Sequence, residues 1–154
     1  MATTIDVSAP PTTDRRGALH RAGVVSAAAL ALAVGWIHVV DQGGLLALKD
    51  PAYLGWGFRG LVAAALVCAM LLLTGRERPG WLLAVGVSAG PLLGILLSRS
   101  IGLPGATGDI RNWTETLGVA AVVVEASLLA IALTALRSAR FAEGRRRRGV
   151  AAPR

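Results

Sequence analysis

Cysteine occurs once in the 154 residues, at Cys68, which excludes an intrachain disulfide and any metal cluster built from cysteines. Histidine occurs twice, and His20 and His38 fall at opposite ends of one apolar run, which excludes a haem held between two histidines of one chain. Aromatic residues make up 5% and charged residues 16%, against 54% apolar content. That leaves too little polar surface for a water-soluble domain. What the chain does have is four apolar runs, 22–40, 53–74, 81–98 and 117–136, each close to the ~20 residues that cross a ~30 Å hydrocarbon layer. The connections are short, and the polar segment 1–17, rich in Thr, Pro and Ala, reads as disordered. The expected fold is therefore all-α: a transmembrane four-helix domain over 18–140, with helices near 21–41, 53–74, 80–100 and 115–137. A basic tail, 141–154, follows it.

The formal net charge of +7 does not point to nucleic acid, because the arginines gather at helix ends instead of interleaving with aromatics on one face. Arg15, Arg16 and Arg21 precede the first run, Arg76 and Arg78 fill the second connection, and Arg137, Arg140, Arg145 to Arg148 and Arg154 follow the last, twelve of the 16 basic residues. By the positive-inside rule both termini are cytoplasmic, and 41–52 and 99–116 face out from the inner membrane. Trp36, Tyr53, Trp56 and Trp113 fall near one boundary and Trp81 and Phe141 near the other, as an aromatic belt would. A second topology stays open at this point: Arg15-Arg16 with Ala31-Leu32-Ala33 also has the form of a cleaved secretory signal. The apolar run continues past that cut, which favours an uncleaved helix. The lipid bilayer is the expected partner, and the run Arg145 to Arg148 adds attraction for anionic lipid of about 1 kcal/mol per residue.

Lipid tails give apolar helices little reason to associate, so bundles in membranes depend on small residues that let backbones approach. Gly86, Gly90, Gly94 and Ser98 recur every fourth residue on the third helix, as Gly23, Ala27, Ala31 and Gly35 do on the first. Close packing of those two helices is expected, within one chain or between copies in a homo-oligomer. Pro91 should bend the third helix, since its ring removes a donor and crowds the preceding turn.

Polar residues concentrate in the outer half of the spans. Glu125 interrupts the last run between Val124 and Ala126, about 15 Å below the surface at ~1.5 Å per residue, where a charge costs roughly 2.5 to 3.5 kcal/mol. His38, Arg59 and Arg99 lie at comparable heights. Side chains lean toward the N-terminus of their own helix, so His38 and Arg99 lean inward and Arg59 and Glu125 outward, converging on one layer. An Arg59–Glu125 ion pair is the expected contact. His38 and Asp41 are neighbours on one helical turn, which suits half a metal site but gives no complete one. Asn112 and Glu115 read as a capping box for the last helix, and the Gly- and Pro-rich connection before it can lie over the polar layer.

The stretch LSRSIGLPGATGDIRNWTETLGVAAVVVE, 97–125, with GWIHVVDQGG, 35–44, and DPAYLGWGF, 50–58, resembles a family of small bacterial, mainly actinobacterial, four-helix membrane proteins of unassigned function. The resemblance implies the same fold, draws attention to Arg99, Asp109, Asn112, Trp113, Glu115 and Glu125, and names no activity. Arg111 stands where that pattern has glycine, which argues against a tight glycine-dependent turn there.

These features suggest a non-enzymatic multi-pass membrane protein without a cofactor. Its polar site of His38, Asp41, Arg59, Arg99, Asp109, Asn112, Trp113, Glu115 and Glu125 would bind a small ligand or ion, or support a partner complex in the membrane. The alternative is a small proton- or ion-coupled transporter using Glu125. A membrane enzyme fits least, because no nucleophile has an evident base beside it.

Overall fold

The computed structural model describes residues 12–150. Over these the chain forms α1 (Thr12–Asp41), α2 (Ala52–Leu73), α3 (Glu77–Ser100) and α4 (Thr116–Val150), with no strand among the described residues. Each helix is long and apolar enough to cross a bilayer. α1 begins at Thr12, inside the segment 1–17 that the sequence marks as polar. Residues 1–11 and 151–154 lie outside the described residues, as do the side chains of Arg145 to Arg148, so the expected disorder of the former and lipid contact of the latter have no structural counterpart here.

Helix ends are set by glycines that can leave the helical region at positive φ. At the end of α1, Gly43 takes φ 89°, its N–H bonds Val40 O at 3.0 Å, and the Gly44 N–H bonds Val39 O at 2.9 Å. Gly75 does the same after α2, at φ 78°, with the Arg76 N–H on Leu71 O. Both are Schellman endings, which satisfy carbonyls that the helix itself leaves free. The α2–α3 connection can therefore be as short as Thr74 to Arg76.

The helices form a ring in which α1 packs on α2 and α4, and α3 packs on α2 and α4. The pairs α1–α3 and α2–α4 stand on the diagonals, the first barely touching and the second not packing at all. Small side chains fill the centre: Ala27, Ala31, Ala65, Ala84 and Ala132 are buried together with Val34, Leu72, Val87 and Leu128. Large apolar side chains such as Leu66, Met70, Leu82, Leu93 and Val123 face outward. This inverts a water-soluble bundle, in which the large side chains are inside, and matches helices whose backbones approach through small residues in lipid.

Within the chain the glycine ridge of α3 does not pack on α1. A Cβ added at Gly86, Gly90 or Gly94 would meet nothing within 4 Å, because α3 turns Ala84, Val87 and Ser88 to the core instead. On α1, Ala27, Ala31 and Gly35 are buried and Gly23 is half-buried, and Gly35 faces α2, where an added Cβ would come 3.4 Å from the Ala65 Cβ. Trp81, near the start of α3, is buried in the core cluster. Gly90→Ala is accordingly expected to stabilise the protein by roughly 0.5 to 1 kcal/mol, the usual cost of glycine in a helix interior. Gly35→Val should lower stability by about 1 to 3 kcal/mol through overpacking. Thermal unfolding in detergent distinguishes them, and a loss for Gly90→Ala would restore the ridge as a packing surface.

Candidate functional site

At the end of the bundle that carries the connections 42–51 and 101–115, the four helices diverge around a cavity of about 450 Å³. His38 and Asp41 of α1, Arg99 of α3, and Asp109, Asn112 and Glu115 of the second connection all line it, so six of the nine residues singled out from the sequence meet at one place. Pro91, within the continuous α3, and Gly94 line it as well. Its apolar wall comes from Ile37, Leu54, Phe58, Ile95, Leu117 and Ala121.

The connections are tied down by specific bonds. Tyr53 at the start of α2 donates its hydroxyl to Pro104 O at 2.7 Å, tying α2 to the second connection. Arg99, 7% exposed, donates through Nη2 to Glu115 Oε2 at 2.6 Å, while its Nη1 stands 3.9 Å from Asp109 Oδ1 and makes no hydrogen bond. The same Glu115 Oε2 accepts the Gly118 N–H at 3.2 Å. Glu115 is thus the residue that caps α4, whereas the capping box expected from Asn112 does not form: Asn112 instead gives its backbone N–H to Asp109 O. Arg111 adopts φ 65° and donates its N–H to Arg99 O at 2.8 Å. The tight turn exists despite the arginine, and its left-handed backbone is the conformation that glycine takes without strain.

His38 forms the floor. It is 6% exposed, its Nδ1 is 3.0 Å from Val34 O, and its ring meets Phe58 edge-on with centroids 5.0 Å apart. A carbonyl can only accept, so Nδ1 carries a proton and donates it. Beneath lies Glu125, fully buried, with neither oxygen hydrogen-bonded and His38 Nε2 at 3.8 Å from its Oε1. The pair can hold one further proton between them, as carboxylic acid and imidazole or as carboxylate and imidazolium.

Three expected residues lie elsewhere. Arg59 does not pair with Glu125; its Nη2 donates to Leu46 O at 3.1 Å and its guanidinium lies 5.2 Å over the Trp56 ring. The reason is lateral: α2 and α4 are diagonal in the ring, so equal height does not bring their side chains together. Trp113 lines a smaller neighbouring depression beside Val119 and Val122. Glu125 is below the cavity and not in its wall. Sequence reasoning missed Lys49 and Asp50, which line the cavity from the first connection. Lys49 Nζ pairs with Asp41 Oδ2 at 2.7 Å and stands 5.3 Å over the Phe58 ring. No periodicity marks a residue in a connection, so nothing but its nearness to Asp41 in sequence could have found Lys49.

Among the described residues no group of three or more His, Cys, Asp and Glu is close enough to hold a metal ion. The arrangement suits a molecule with both polar and apolar parts, held between a charged rim and an apolar wall. The chain matches no protein-family model, no curated protein and no solved structure, so the reading of the site rests on its geometry.

Proposed function

We propose that this is a multi-pass inner-membrane protein, of the small bacterial four-helix type it resembles, with both termini cytoplasmic and a binding site for a small ligand open toward the outside. The observation that carries the reading is the cavity: charged groups from both connections and from the ends of α1 and α3 converge on one concave space. A brace for a partner complex needs a flat face, not a concavity of this size. The orientation rests on the twelve basic residues gathered at the opposite end, by the positive-inside rule.

The carrier reading receives less support. Among the described residues, the buried side chains below Glu125 are apolar apart from Ser88 and Cys68, and no buried carboxylate, histidine or basic group follows to pass a proton or cation onward.

Ala106 lines the cavity on the second connection, so one substitution tests both parts of the reading. In a Cys68→Ser background, Ala106→Cys is expected to react with a membrane-impermeant maleimide applied to intact cells. Reaction only after lysis would overturn the orientation. No reaction even in detergent would overturn the open cavity.

A further inference from the structure

We propose that the cavity takes a small organic cation, a protonated amine on a compact apolar body. This deepens the binding reading above and rests on it. The lining carries two fixed cations, Lys49 and Arg99, and four carboxylates, Asp41, Asp50, Asp109 and Glu115. Each cation has a carboxylate partner, Lys49 in Asp41 at 2.7 Å and Arg99, through Nη2, in Glu115 at 2.6 Å, while Arg99 Nη1 makes no hydrogen bond. Asp109 comes no closer to Arg99 than 3.9 Å, and Asp50 has no ion-pair partner within 4.0 Å among the described residues. Two carboxylates are thus left over, one on each connection, at the rim of a space with low-dielectric walls. Such a rim concentrates cations and repels anions.

A second observation is independent of those charges. With Nδ1–H given to Val34 O, His38 Nε2 makes no hydrogen bond; it stands 3.8 Å from Glu125 Oε1, in a lining side chain more than nine-tenths buried. In the neutral imidazole this nitrogen is an acceptor, and an ammonium or amine N–H supplies a donor. The Phe58 ring, over which Lys49 stands at 5.3 Å, lines the cavity and offers an aromatic contact to the ligand's apolar body. A bare metal ion fits less well, because the carboxylates belong to separate connections and form no ligand cluster among the described residues. An organic cation spans the distance, and its apolar body meets Ile95, Leu117 and Ala121.

The probes are phenethylamine, its N-acetyl derivative and phenylacetate, compared by ligand-observed saturation-transfer NMR with the protein in nanodiscs of zwitterionic lipid. Phenethylamine is expected to bind, and the uncharged N-acetyl form about tenfold more weakly, the combined effect of two partly exposed charges. The double variant Asp50→Asn/Asp109→Asn should weaken the amine by a similar factor and leave the N-acetyl form unchanged. Filling the wall with Ala121→Phe should abolish transfer, and bound amine should slow maleimide reaction at Ala106→Cys, a readout that does not depend on the bulky variant folding. Equal binding of amine and N-acetyl form, preference for phenylacetate, absence of amine binding, or indifference to the two Asn substitutions overturns the cationic ligand, with the open cavity still judged by the cysteine reaction. Transfer that survives Ala121→Phe for every probe, with no protection at Ala106→Cys, overturns the cavity itself as the site.

Discussion

Glu125→Leu is expected to raise the stability of this protein by about 2 kcal/mol, because it removes a buried carboxyl group that has no hydrogen-bond partner and substitutes an apolar side chain of similar volume. Glu125 is 0% exposed and neither oxygen is bonded; the nearest basic atom, His38 Nε2, is 3.8 Å away. One turn further along α4, Leu128 is fully buried in the shared core, so an apolar side chain at 125 continues a surface that already exists. Glu125→Gln keeps the polar group buried and should change stability little. Thermal unfolding in detergent reads both. A marked loss for Glu125→Leu would mean that the carboxyl group is held by a bond that its surroundings do not display, and would sink the view that it is retained at the expense of stability. A gain would identify Glu125 as a residue kept for what it does under the cavity, where His38 links it to whatever the cavity holds.

Height along the bundle was legible in the chain and azimuth was not. An α-helix advances by a constant rise, so the depths of His38, Arg59, Arg99 and Glu125 follow from their distances to the helix ends, and the side-chain lean converges them on one layer. Of the four, His38 and Arg99 line the cavity, Glu125 lies next to His38 and outside the cavity wall, and Arg59 turns aside to Leu46 O. Which helices stand side by side depends on the packing of every residue at once. Within the chain neither lateral contact forms, for one reason: the Arg59–Glu125 pair would join α2 to α4 and the glycine ridge would join α3 to α1, and both pairs are diagonals of the ring. The apolar content that announces four spans also hides azimuth, since helices apolar on every side have no pattern marking an inner face. Glu115 was legible as a capping residue but not as the partner of Arg99, because the contact crosses 16 positions of a connection whose path depends on positive φ at Gly102, Gly105 and Arg111.

Removing the carboxylate of Glu115 should produce the largest loss of stability at this end of the molecule. Its Oε2 serves two donors, the buried Arg99 Nη2 at 2.6 Å and the Gly118 N–H at 3.2 Å. Glu115→Ala therefore leaves a nearly buried guanidinium without its counter-charge and the start of α4 without its cap, an expected cost of about 2 to 3 kcal/mol. The value stands below that of a fully enclosed pair because the Glu115 side chain is 39% exposed, and water compensates part of the loss. Glu115→Gln retains an acceptor for Gly118 and gives up the charge, so it should fall about midway. Arg99→Leu combined with Glu115→Ala should cost less than the sum of the two single changes, since no cation is left stranded. Because Arg99 also accepts the Arg111 N–H at 2.8 Å through its carbonyl, loss of the clamp loosens the second connection where it covers the cavity. Ala106→Cys should then react faster with maleimide in the Glu115→Ala background. Equal stability of wild type, Gln and Ala variants would show that the clamp holds nothing, whereas a loss confined to the Ala variant would assign the stability to the cap and not to the ion pair.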